Sequence, residues 1–195
     1  VTSLVTDLGV LCWILFLISI TLTFVNTYTT FYLQTLHGIS PLTAGYLLAI
    51  QSIMWTGGAL VVATVPRSFE PASIVAGIVL VLLAAIAIAL TVDVGPIVIL
   101  AIAMAVGGIG LGLLNNPVIQ RMLAAVPEAE SHVTGTSVQT IRNMGIAFGA
   151  AASGMIAGLT GLTEGAGREA IAASMRWVFG VNVGFAALAL VMVVP

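Results

Sequence analysis

The residues of this sequence whose types and spacing could do chemistry are amides, hydroxyls and one arginine set among apolar runs. Thr23, Asn26, Thr27, Thr30 and Gln34 recur at i, i+3, i+4, i+7 and i+11, which is one face of a helix. Asn115 and Asn116 stand together before Pro117, and Gln120 follows one turn later. Gln139, Arg142 and Asn143 share another helical face, and Gln51 and Trp55 lie one turn apart. Groups of this kind hold a solute by hydrogen bonds rather than cleave it. The sequence shows no paired acids, no Ser/His/Asp arrangement and no metal-ligand spacing, so it implies no enzyme, no cofactor and no metal site. Cys12 is the single cysteine, and His37 and His132 are isolated.

Each group also has a plainer reading. Threonines in apolar helices bond their own backbone carbonyls, although Asn26 and Gln34 on the same stripe favour a cavity wall. Trp55 serves either core packing or a flat wall for a hydrophobic ligand. Arg142 is either a group in a solute path or an anchor that reaches back to the lipid headgroups. Gly107 to Gly112 reads GGIGLG, but Leu113 stands where a dinucleotide-binding loop needs its third glycine, so close helix packing is the expected role.

The elements that must carry these residues follow from composition. Of the 195 residues, 60% are hydrophobic and only 6% are charged, and the mean hydropathy is +1.21. Too few charges remain to coat a water-facing surface, so lipid is the expected solvent and partner. The formal net charge of −2 leaves no basic patch for nucleic acid. All five basic residues are arginines, at 67, 121, 142, 168 and 176.

Spans of about 20 apolar residues are needed to cross the hydrocarbon, and six are expected, at about 8–33, 42–65, 72–92, 97–122, 133–159 and 170–195. They form a single six-helix transmembrane domain over 1–195, an all-α fold. No Asp or Glu falls inside any of them, so these spans supply no carboxylate proton relay. His37 to Pro41 is a turn with Ser40 as cap and Pro41 in the first helical position. Gly45 and Ala49, Gly145 and Gly149, and Gly154 and Gly158 are small-residue pairs suited to close helix contact. Pro117 is expected to interrupt and bend the fourth helix. Val1 is not Met and Pro195 ends an apolar run, so the sequence reads as a piece of a larger membrane protein. The first and fourth spans share a plan, each an apolar run ending in Asn and then Gln, which hints at a 3+3 inverted repeat.

Two stretches resemble the major facilitator superfamily in its fourteen-span drug:proton antiporter branch. FYLQTLHGISPLTAGYLL (Phe31 to Leu48) is similar to that branch's helix–loop–helix pattern of Y-L-Q, G-x-S-P and A-G. The stretch from Gly107 to Ile156 resembles its Gly-rich helix, P-E loop and R-x-x-G-x-x-x-G pattern. The resemblance implies the C-terminal half of a major facilitator fold, in a bacterial plasma (inner) membrane, partnered by a missing N-terminal half. It implies proton-coupled efflux of hydrophobic drugs or metabolites by alternating access. It also puts Arg67 and Arg121 on the cytoplasmic side, where charge bias alone is a tie, and Asn26, Thr27, Thr30, Gln34, Asn115, Asn116 and Gln120 near the substrate path. PRSFEP (Pro66 to Pro71) departs from the family's basic loop motif. The alternatives are a transporter of a polar metabolite and a non-transporting six-span scaffold subunit.

Overall fold

The computed structural model describes residues 7–92, 95–127, 131–162 and 165–193. Asp93, Glu128, Glu130, Glu164, Val1 and Pro195, on which the sequence reading placed turns, loop acids and the ends of the chain, lie outside them. So do the side chains of Ser131, His132 and Val133. The described residues form six helices: α1 (Asp7–Thr35), α2 (Pro41–Thr64), α3 (Glu70–Thr91), α4 (Ile97–Ala124), α5 (Ser131–Leu159) and α6 (Arg168–Val193). A short 3-10 turn, Arg67–Phe69, leads into α3.

Local chemistry accounts for several helix ends. The Ser40 hydroxyl accepts a hydrogen bond from the Thr43 N–H at 3.2 Å, and Pro41 follows it in the first turn. At the end of α5 the Leu162 N–H donates to the Ala157 carbonyl at 2.9 Å and the Gly161 N–H to the Gly158 carbonyl at 3.3 Å. That pair of bonds is a Schellman cap, and it needs the left-handed backbone that Gly161 adopts at φ 96°. His37 Nε2 lies 2.9 Å from the Val92 carbonyl oxygen, docking the α1–α2 turn onto the end of α3.

Five of the six helices (α1, α2, α3 with its leading turn, α4 and α6) are long and apolar enough to cross a membrane, which marks an integral membrane protein. The sequence reading expected six such spans. The exception among the described helices is α5, which has the length of 29 residues but not the composition. Its first half carries Thr134, Thr136, Ser137, Gln139, Thr140, Arg142 and Asn143, and glycines dilute its second half. A helix of that make-up gains too little from lipid by itself and must cover its polar side with protein or water.

Packing is centred on α1 and α4. Helix α4 lies along α2 and α3, α1 lies along α5 and α6, and α3 meets α6. Lighter contacts join α1 to α2, α1 to α4, α4 to α5 and α5 to α6. Glycines set the closest approaches. A Cβ on Gly58 would sit 2.6 Å from the Ile109 carbonyl oxygen, and one on Gly112 would run into the Trp55 carbonyl oxygen. On the other side, Gly145 abuts Phe16 and Ser19, and Gly149 abuts Ile20 and Thr23. Aromatic rings continue that seam, with centroids 5.9 Å apart at Phe16–Phe148, 6.3 Å at Phe148–Phe185 and 5.7 Å at Phe24–Phe185.

Three expectations about packing are corrected. Gly45, Gly154 and Gly158 have open space where a Cβ would be, so their small-residue pairs meet no helix of this chain. Helix α4 also runs unbroken through Pro117 from Ile97 to Ala124. A buried proline costs that helix one backbone N–H, and flanking helices hold its remaining bonds in place.

Candidate functional site

Helices α4 and α5 bring two of the sequence groups together. Arg142 Nη2 donates to Asn115 Oδ1 at 2.7 Å, and both side chains are half-buried. Asn115 Nδ2 in turn points to Asn116 Oδ1 at 3.4 Å, and Gln139 Nε2 donates to Asn143 Oδ1 at 2.9 Å along α5. Among the described residues Asn115 is the hydrogen-bond partner of the Arg142 guanidinium, and no carboxylate pairs with it. Arg121, by contrast, sits 4.0 Å from Glu70 at the start of α3.

Arg142 is held by a residue far from either end of α4. Asn115 lies nine residues before the end of α4, or about 14 Å along the axis. A helix of 28 residues measures about 42 Å, so a centred 30 Å hydrocarbon core begins about 6 Å in from each end. The guanidinium meets Asn115 well in from the end of α4, turned towards that helix.

The α1 stripe stands apart from that cluster. Asn26, Thr27 and Gln34 are exposed and Thr30 is half-buried. Asn26 is nine residues before the end of α1, again about 14 Å from the helix end, but α1 runs opposite to α4. The two polar groups thus lie towards opposite ends of the bundle. The Thr23 hydroxyl donates to the Ser19 carbonyl at 2.8 Å, as threonines in helices do. No such bond holds Asn26, Thr27, Thr30 or Gln34 among the described residues. Asn116, Gln120, Gln139 and Asn143 are exposed as well.

Gln51 and Trp55 belong elsewhere. Gln51 is 7% exposed and lines a small cavity of about 30 Å³ with Thr21, Val81, Ala84 and Met104. That is room for a water molecule rather than a solute. Trp55 is half-buried and packs against the hydrophobic core.

Sequence reasoning missed a set of buried polar groups. The hydroxyls of Thr21, Thr29 and Tyr32 and both ends of the Asn182 amide have no hydrogen-bond partner among the described residues. Asn182 and Thr29 are fully buried. They lie on the faces of α6 and α1 that pack together, where Tyr32 stacks edge-on against Phe179 at 5.3 Å. Nothing in the local pattern distinguishes Thr29 from the exposed threonines beside it; only the approach of α6 does.

Compared with protein-family models and with curated proteins, the chain matches none.

Proposed function

We propose that this chain is one six-helix half of a secondary active transporter of the major facilitator plan, moving hydrophobic drugs or metabolites outward by alternating access. The observation that carries this reading is the exposure of Asn26, Thr27, Gln34, Asn116 and Gln120 on helices long and apolar enough to cross a membrane, with Gln139 and Asn143 exposed on α5 beside them. Polar side chains are too costly to leave against lipid tails, so such a surface faces water, a solute or another protein. The packing pattern supports the same plan. Exchanging α1 with α4, α2 with α5 and α3 with α6 turns α1·α5 into α4·α2, α1·α6 into α4·α3 and α1·α2 into α4·α5. It leaves α1·α4 and α3·α6 in place, while α5·α6 has no counterpart of like extent between α2 and α3. That is the relation expected of two inverted three-helix repeats.

In this reading the polar halves of α1 and α4 face the substrate path from opposite sides of a bacterial inner membrane. The described acids, Asp7, Glu70 and Glu169, stand at the starts of α1, α3 and α6. A proton-coupling carboxylate would therefore come from the other half of the transporter, along with its share of the cavity wall.

The test is cysteine accessibility in membranes. Single cysteines at Thr27, Asn116 and Asn143, in a Cys12→Ala background, should each react with a membrane-impermeant thiol reagent. Complete protection of all three would instead mean that the polar faces are sealed by other helices, as a scaffold subunit requires.

A further inference from the structure

We propose that the polar cluster on α4 and α5 is an anion-recognition site, and that the solute it takes is an amphipath with one acidic head and an apolar body. This rests on the reading that the exposed face of α1, α4 and α5 lines a solute path. In that reading Arg142 is a permanent cation at membrane depth, with one of its five N–H donors spent on a neutral amide. Asn115 fixes the guanidinium without cancelling its charge. A charge this deep is expensive unless something neutralises it, and no carboxylate does so among the described residues. A carboxylate, sulfonate or phosphate monoester arriving at the site would complete the pair, with two parallel N–H···O bonds to the planar fork.

Neighbouring groups suit such a head. The exposed amides of Asn116, Gln139 and Asn143 add N–H donors without adding charge. Deeper along the same faces the surface turns apolar. Ile146 stands one turn beyond Arg142 and is 45% exposed, and Leu113 and Ile109 lie one and two turns beyond Asn116 and are half-buried. A head at Arg142 therefore leaves the solute's body against aliphatic side chains nearer the bilayer centre. A cationic drug would meet repulsion at the same spot.

The experiment uses two dyes with the same aromatic body, anilinonaphthalene sulfonate and its uncharged counterpart N-phenylnaphthylamine. Each is titrated by fluorescence onto the 195-residue chain in nanodiscs, with empty nanodiscs subtracted. The sulfonate should bind saturably. Arg142→Gln should weaken it by roughly tenfold or more while leaving the uncharged dye unchanged, and Arg142→Lys should keep part of the affinity as a point charge without the fork. A wild-type control needs no variant to fold: decanoate should displace the sulfonate dye, and decanamide at the same concentration should not. Equal displacement by both, unaltered sulfonate binding in Arg142→Gln, or equal loss of both dyes would overturn the proposal. A face that is closed altogether would bind neither dye and would also resist thiol labelling at Asn116, which separates failure of the transport reading from failure of the anion site.

Discussion

A hydrogen bond of 2.7 Å between two side chains 27 residues apart changes what Arg142 can be. Its position was legible from the sequence, nine residues beyond Val133, the expected start of the fifth span. Its direction was not, because helical periodicity says which residues share a face and nothing about which face of another helix meets it. Asn182 makes the complementary point. Its type and position were plain, but its complete burial depends on α1 closing over it. A buried amide with neither end bonded is destabilising, and an apolar side chain of similar size removes that penalty. Asn182→Leu should therefore raise the unfolding free energy by about 1–2 kcal/mol, seen as a higher midpoint of thermal unfolding in detergent. A loss of similar size would mean that an ordered water or a polar partner serves the amide.

At the scale of helices, length and ends were largely written in the sequence. Ser40 and Pro41 start α2, and Gly161 stops α5, through bonding that their side chains or backbone freedom dictate locally. Glycine pairs were legible as pairs but not as contacts. Gly108, Gly112, Gly145 and Gly149 press against backbone of a neighbouring helix, whereas Gly154 and Gly158 look out into open space. The two kinds have identical spacing in the sequence and opposite sensitivity in the structure. Gly112→Ala should cost about 1–3 kcal/mol, because its Cβ meets the Trp55 carbonyl and the Ala59 N–H at fixed backbone positions. Gly154→Ala should stay within about 1 kcal/mol of the parent, on the stabilising side, since it adds helix propensity without a clash. Thermal unfolding of the two variants side by side checks both. Six spans were expected, and of the six helices α5 is the one not apolar enough to cross a membrane by composition alone, for a related reason. Counting hydrophobic residues treats every helix as though lipid surrounded it, and α5 gains its place from the seam it forms with α1.

For the molecule as a whole, the order of helices along the chain differs from the order of their attachments. α2, α3 and α4 are consecutive and two of them find their main partner in α4. α1 precedes the other five, yet its two principal neighbours, α5 and α6, come at the far end of the six. During synthesis α1 therefore waits in the membrane for its main partners while α2, α3 and α4 emerge. Such a segment invites retention beside the insertion machinery or shielding by a membrane chaperone. A chain stopped after residue 125 should accordingly hold α2–α4 together while α1 remains open. Paired cysteines replacing Gly58 and Ile109 should then crosslink at parental yield, whereas α1 should be held by photo-crosslinks to the insertion apparatus until α6 is complete. Early release of α1 from those crosslinks, before α5 exists, would show that it finds shelter on α2 and α4 alone.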